Sequence, residues 1–320
     1  MTARSFRHVF GPVPSRRLGR SLGVDLVPLK TCTYDCIYCQ LGRTTNKTVE
    51  RREYVPLEEV LTELRLRLEA GPTPDYVTLS GSGEPTLYGR LDELIGGIKN
   101  RTDVPVAVLT NGSLLWDPDV RESLMDADLV LPSLDAADPL LFRYVNRPHR
   151  AITFERMVAG LVALREVFSK PIWLEVFLLG GVTAIEVEVE KLARLADRIK
   201  PDRVQINTVA RPAAEDFACA VPHKQMEQYA KAFGDRAEVI GAFHGGDRRG
   251  EWTATDDAVL DLVRRRPCTL RDVADALCLH PEEVVKQIDR LLGSSLICAT
   301  KRDGSVYYVP VASRRGGFHR

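Results

Sequence analysis

The chain has 320 residues, 44% hydrophobic and 28% charged, an ordinary globular composition that suits one large domain plus a small one. Its 44 Lys and Arg balance 44 Asp and Glu, so net charge argues neither for nor against a nucleic-acid partner, and any basic surface must be local. No apolar run reaches the roughly 18 residues of a membrane span, and the N-terminus MTARSFRHVFGPVPSRR lacks the apolar core of a secretory signal. The expectation is a cytoplasmic protein with no membrane partner.

Residues 1–20 read as a basic arm stiffened by Pro12 and Pro14. Its Arg16, Arg17 and Arg20 are candidates for a phosphate or carboxylate of the substrate, since Arg makes bidentate pairs with such groups; a solvated arm is the alternative. From 21 to 241 strand-like and helix-like stretches alternate. Ser21–Pro28, Tyr76–Ser80, Val104–Thr110, Leu129–Ser133, Ile172–Leu179 and Arg203–Val209 are short apolar runs bounded by Gly, Pro, Asn or Asp. Between them, Leu57–Glu69, Phe154–Phe168 and Ala184–Ile199 carry apolar residues at helical spacing. This βαβα order predicts an α/β fold with a parallel sheet covered by helices. Six such units suggest a partial or whole barrel, with a doubly wound open sheet as the alternative; in both, ligands sit at the C-terminal strand ends.

Residues 242–254 read as a Gly- and charge-rich linker. Residues 255–311 then give three short helices and a β-hairpin. Thr269 and Asp272 resemble a capping box, Pro281 opens the third helix, and Asp303-Gly304 is a hairpin turn signal. That is the plan of a winged helix-turn-helix domain. Residues 312–320 read as a basic tail. The wing KRDGS and Arg264-Arg265-Arg266 are also basic, whereas the third helix opens on Glu282 and Glu283, a poor start for facing phosphates. Nucleic-acid binding and protein docking both stay open.

Three of the seven cysteines, Cys32, Cys36 and Cys39, form a C-x3-C-x2-C run just after the first strand, and the rest are scattered. This is not a disulfide framework. Close cysteines on one loop suit an iron–sulfur cluster, and three ligands leave one iron of a [4Fe–4S] cluster without a protein thiolate. The alternatives are buried thiols or zinc, but structural zinc takes four ligands and no nearby His or Cys completes such a set. Cys278 and Cys298 look like small hydrophobes of the C-terminal core.

The spacing, with Tyr38 just before the last cysteine, resembles the signature of the radical S-adenosylmethionine (SAM) superfamily. The resemblance implies a partial (β/α)6 TIM-like barrel in which SAM chelates the open iron. It also implies an electron donor such as flavodoxin or ferredoxin, and reductive cleavage of SAM to a 5'-deoxyadenosyl radical that takes hydrogen from a substrate. Ser80-Gly81-Ser82-Gly83-Glu84-Pro85-Thr86 resembles the superfamily's Gly-Gly-Glu-Pro loop with Ser82 interposed, which implies SAM contacts from Gly81, Gly83, Glu84 and Pro85. Asn111, Ser133 and Asp135 end strands where relatives face the SAM ribose or substrate. Glu175 interrupts an apolar run; it is a candidate SAM or substrate contact, with an Arg or Lys partner as the alternative. Gly180 fits a close SAM approach, and Gln205 and Asn207 are further candidates.

GSGEPTLYGRLDELI, VAVLTNGS and SLDAADPLLFRYVNRPHR together are similar to the wyosine-base-synthase branch, which modifies a guanosine of tRNA. The Asn146-Arg147-Pro148 stretch is its most particular part and adds Arg147 to the substrate candidates. That branch carries a second cluster on cysteines upstream of the signature, and here no cysteine precedes Cys32. The resemblance therefore implies a radical SAM enzyme acting on RNA, with two alternatives. One is a radical SAM activase or modifier of a protein or peptide; the other is an iron–sulfur regulator binding DNA.

Overall fold

The computed structural model describes residues 6–71, 73–240, 256–277, 279, 281–302 and 304–311. It divides into two compact units, Met1–Ala242 and Phe243–Arg320.

In the first unit, β1 (Val9–Ser15) runs antiparallel to β2 (Gly19–Val24). From β2 onward the sheet is parallel: β3 (Tyr76–Leu79), β4 (Val106–Thr110) and β5 (Leu129–Pro132) follow in sequence order. A second parallel group holds β6 (Trp173–Leu178), β7 (Arg203–Thr208) and β8 (Ala237–Val239). Parallel bridges Val130–Ile172 and Ser133–Glu175 tie β6 to β5. Between strands lie α1 (Leu57–Ala70), α2 (Leu91–Lys99), α3 (Pro118–Glu122), α4 (Pro139–Val145), α5 (Phe154–Val167), α6 (Glu186–Ile199) and α7 (His223–Ala230).

Local chemistry explains these elements. Helix α6 buries Val189, Leu192, Ala193, Ala196 and Ile199, one stripe of a 3.6-residue period. Asp138 caps α4 by accepting the Leu140 and Leu141 N–H groups, and Pro139 takes the first helical position. Strand β5 is buried at every residue, as a strand covered on both faces must be.

The segment read as an arm, 1–20, departs from that reading by forming β1. Pro12 and Pro14 break the alternation that marks a strand, and the ladder is irregular between Phe10 and Val13. Proline is tolerated because β1 is an edge strand, where one side of the backbone has no ladder partner.

The N-terminal ends of β3, β5 and β7 share one device. Asp75, Asp128 and Asp202 each stand one residue before the strand. Their carboxylates accept the N–H of Arg20 (2.6 Å), Val106 (2.8 Å) and Ile172 (2.7 Å). Their own N–H groups donate back to the carbonyls of the same residues at 2.7–2.9 Å. Each carboxylate also meets a cation: Arg20 at 3.9 Å, Lys99 at 2.5 Å and Arg165 at 2.9 Å.

In the second unit, α8 (Asp256–Arg265), α9 (Leu270–Leu277) and α10 (Pro281–Gly293) precede an antiparallel pair, β9 (Ile297–Arg302) and β10 (Ser305–Pro310). Thr269 Oγ1 accepts the Asp272 N–H and Asp272 accepts the Thr269 N–H, the reciprocal capping box. Val259, Val263, Val273, Val284, Ile288 and Ile297 are buried. Cys298 is exposed, contrary to the expectation of a core residue, because it faces outward on β9; Cys268 is the buried one. Cys278, the linker 242–254 and the tail 312–320 lie outside the described residues.

Candidate active site

The segment Thr31–Cys39 follows β2 at the C-terminal end of the parallel strands, and backbone bonds fix it on two sides. Asp35 N–H and Ile37 N–H donate to the carbonyls of Asn146 (3.0 Å) and Val145 (2.9 Å), and His149 N–H donates to Thr33 (2.8 Å). On the other side, Lys30 N–H donates to Ser82 (2.7 Å) and Glu84 N–H to Thr31 (3.2 Å). The three cysteines are partly buried and none is in a disulfide. Burial, with Glu84 next, pushes the Cys32 thiol up to about 12. Burial raises Cys36 well above the ordinary thiol value and raises Cys39 too.

The glycine loop is shaped by those contacts. A Cβ on Gly83 would fall 1.7 Å from the Thr31 carbonyl oxygen, so only glycine lets this loop reach the cysteine segment. Gly81 sits at φ +124°, and a Cβ there would meet Asp25 Oδ1 at 2.0 Å. Glu84 turns inward and is only 2% exposed. Its carboxylate accepts from Thr86 N–H (3.0 Å), Thr86 Oγ1 (2.6 Å), Thr110 Oγ1 (2.6 Å) and Asn111 N–H (2.8 Å). Burial outweighs these bonds and raises the Glu84 carboxyl. Pro85 opens a short 3-10 turn behind it. Four donors of its own chain thus occupy the side chain read as a SAM contact, and they lock the ends of β3 and β4 together.

Asn111 also turns to its own chain. Its Oδ1 accepts the Ser113 N–H (3.0 Å), and its Nδ2 points to Thr33 Oγ1 (2.7 Å) and Cys32 Sγ (3.5 Å). Asn146 Nδ2 points to Asp135 Oδ2 (2.8 Å) and Cys36 Sγ (3.5 Å). Tyr38 OH donates to the same Asp135 oxygen, and its ring stacks on Phe177 with centroids 4.1 Å apart. Among the described residues Asp135 Oδ1 is buried and takes no hydrogen bond of good geometry, with the Phe177 N–H the backbone donor turned toward this carboxylate. Burial pushes the Asp135 carboxyl up to about 7 against the bonds from Tyr38 and Asn146, with Glu175 adding to the rise.

Glu175 has the arginine partner that its place in an apolar strand left open. Arg17, in the β1–β2 turn, reaches Oε1 at 2.9 Å, and Asn207 Nδ2 reaches the same atom at 2.7 Å. Ser133 Oγ lies 3.4 Å from Oε2. Burial acts to raise this carboxyl, but Arg17, Asn207 and Arg16 together offset it and the net shift is downward. Gln205 Nε2 donates to Glu238 (2.7 Å). Gly180 N–H donates to Cys219 carbonyl oxygen (3.0 Å), joining the loop after β6 to the one after β7. Arg147, at φ +45°, pairs with Glu215 at 2.5 Å, and Arg43 joins the same carboxylate. Arg20 pairs with Asp75 at the N-terminal strand ends. Asn146 and Tyr38 are the side chains that sequence reasoning left out of the site. Tyr38 was legible as the aromatic beside Cys39, whereas the reach of Asn146 to Cys36 spans 110 residues and has no local signal.

These residues fit an iron–sulfur cluster. They supply three partly buried cysteines on one loop, whose desolvation opposes the thiolate unless cationic iron compensates it. Two amides aim N–H at those sulfurs, and a buried carboxylate oxygen with no hydrogen bond of good geometry stands beside them. Among the described residues no three His, Cys, Asp or Glu side chains converge on one metal ion.

A family model for the radical SAM superfamily matches residues 26–207, from the end of β2 to β7. The chain belongs to the radical SAM superfamily, enzymes that use a [4Fe–4S] cluster and SAM. Within it the chain stands with the UPF0026 proteins, being 31% identical to one from Methanocaldococcus jannaschii over 94% of this chain and 95% of that one. It is also 37% identical, over 91% of its length, to a protein of Brachyspira hyodysenteriae named GTPase Obg, of which it spans 43%. A radical SAM methyltransferase from Sphaerobacter thermophilus shares the fold at a TM-score of 0.56, with 18% identity over 68% of this chain and 65% of that one. Among the described residues no helix is long and apolar enough to cross a membrane.

Proposed function

We propose that Cys32, Cys36 and Cys39 hold one [4Fe–4S] cluster with an iron left open to SAM, and that the enzyme acts on RNA, with tRNA the first to test. The observation that carries the first part is the donor set itself: three partly buried cysteines on one loop with amide N–H groups aimed at two of the sulfurs. When bound, the cluster supplies the single electron that cleaves SAM. The chain's own residues bind and orient. Gly81 and Gly83 bring bare backbone beside the cysteine segment, with Glu84 and Pro85 holding that loop rigid. Asp135 Oδ1, buried and without a hydrogen bond of good geometry, is an acceptor for a SAM hydroxyl, with Asn111, Ser133, Glu175 and Gly180 around it. Arg147 and the Arg16–Arg17 turn stay proposed substrate contacts.

In this reading the first unit is a partial (β/α)6 TIM-like barrel, the second is a winged helix-turn-helix domain, and a cytoplasmic flavodoxin or ferredoxin is the electron donor. Support for RNA comes from exposed Lys301 and Arg302 on the hairpin and from the tRNA-modifying branch that the motifs resemble. A specific observation favours a protein substrate as the second reading: Val285, Leu296, Val306 and Val311 of the same unit are exposed at 39–44%. A non-enzymatic regulator gains nothing from the Gly81–Pro85 loop.

The test is anaerobic. Reconstituted, reduced wild-type protein is expected to convert SAM to 5'-deoxyadenosine, and Cys36→Ala to give none. Wild-type protein with a full cluster that makes no 5'-deoxyadenosine overturns the enzyme reading. Nucleosides of RNA from deletion and wild-type strains then decide the substrate: an altered nucleoside supports RNA, and identical profiles favour protein.

A further inference from the structure

We infer that Asn111 and Asn146 are potential-setting residues, each donating one N–H to a cluster thiolate, at Cys32 and Cys36 respectively. The inference rests on the proposal that these cysteines hold the cluster. It turns on how the two amides are held. An amide has two N–H donors and one carbonyl acceptor, and a flipped amide would offer sulfur the wrong end.

Here neither amide is free to flip. Asn111 Oδ1 accepts the Ser113 N–H at 3.0 Å, which leaves Nδ2 facing the cysteine segment. One of its hydrogens goes to Thr33 Oγ1 at 2.7 Å and the other lies on Cys32 Sγ at 3.5 Å. Asn146 Nδ2 gives one hydrogen to the Asp135 carboxylate at 2.8 Å, an oxygen that only an N–H end suits, and the other to Cys36 Sγ at 3.5 Å. Each amide is thus anchored by an oxygen and spends its second N–H on sulfur. The two reach the loop from opposite sides, Asn111 from the end of β4 and Asn146 from the C-terminal cap of α4.

The physical effect has a definite sign. A donor to a thiolate withdraws charge from it and favours the reduced, more negative cluster, so hydrogen bonds to the sulfurs raise the reduction potential. The bond is present in both oxidation states, and the potential moves by the amount it is stronger in the reduced, more negative cluster. Thr33 and Asp135 act behind the amides as their anchors.

The experiment is a redox titration of the reconstituted, full-length protein followed by the EPR signal of the reduced cluster. Asn111→Leu and Asn146→Leu keep the branched shape, at somewhat larger size, and remove the donor. Each is expected to lower the reduced-to-oxidised ratio at fixed potential about tenfold, equivalent to about 59 mV for a one-electron couple. A midpoint equal to that of wild type, at matched iron and sulfide content, overturns the inference. A second measurement needs no variant. Wild-type protein labelled with 15N-asparagine is expected to show 15N hyperfine coupling to the reduced cluster by pulsed EPR. Absence of coupling overturns the inference even where a variant fails to fold. Failure of the cluster assignment itself reads differently, as wild-type protein that takes up no [4Fe–4S] cluster.

Discussion

The two ends of the parallel strands treat carboxylates in opposite ways. At the N-terminal ends, Asp75, Asp128 and Asp202 are partly exposed, each paired with a cation and stapled to the backbone of the neighbouring strand. At the C-terminal ends, Glu84 and Asp135 are buried and held by neutral hydroxyl and amide donors, while Glu175 nearby is the exception that pairs with Arg17. The first arrangement fixes strand register, and at Asp128 it holds the carboxyl below its ordinary value. The second keeps carboxylates out of water with raised pKa values, a burial cost that sits beside the cysteines. Strand ends built this way separate stability from chemistry, as parallel α/β folds do in general.

The comparison breaks most sharply at the cysteines. Cys32→Ala, Cys36→Ala and Cys39→Ala are each expected to bring iron content and SAM cleavage to background, measured by iron assay and 5'-deoxyadenosine formation. Next comes Glu84→Ala, which leaves the Thr86 and Thr110 hydroxyls and the Asn111 N–H without their acceptor. It should destabilise the fold by about 3 kcal/mol in urea denaturation and lower cluster loading. At the opposite end, Asp202→Ala removes one staple and should cost about 1 kcal/mol, with 5'-deoxyadenosine formation per cluster unchanged.

The comparison also predicts an opposite pH dependence for Asp135 and Asp128. Asp135 has its folded pKa raised to about 7, above an unfolded value of about 3.9. Its contribution is full below pH ~4 and is lost as pH rises through ~7. Asp128 has its folded pKa lowered, because Lys99 and the Val106 N–H outweigh burial. Its contribution is present above pH ~4 and is lost as pH falls further. Denaturation midpoints of the metal-free protein against pH should therefore flatten between 4 and 7 in Asp135→Asn, and only below 4 in Asp128→Asn.

Much of the fold was legible because it is local. Five of the six predicted strands appear within two residues of their expected ends, while Ser21–Pro28 is replaced by Gly19–Val24, and α6 and α10 follow from apolar spacing and Pro281. The cysteine run and the Gly81–Pro85 loop were legible as motifs. What was not legible is long-range. Arg17 meets Glu175 across 158 residues, so Arg16, Arg17 and Arg20 looked equivalent in the sequence when in fact Arg17 reaches Glu175 and Arg20 pairs with Asp75 at the far strand ends. The aspartate staples had only a faint signal, an Asp before each of three strands. Asn146 stood in a motif of the resemblance, but its contact with Cys36 had no signal, since it depends on a helix cap arriving beside Cys36. Strand β1 was hidden by prolines that an edge strand tolerates.

The central claim, a cysteine-held cluster with one iron open to SAM at the C-terminal strand ends, is tested most directly by EPR of the reduced, reconstituted protein with and without SAM. The account predicts a [4Fe–4S] signal in wild-type protein whose g-values change when SAM is added, and no such signal in Cys36→Ala. A wild-type spectrum that SAM leaves unchanged would contradict it.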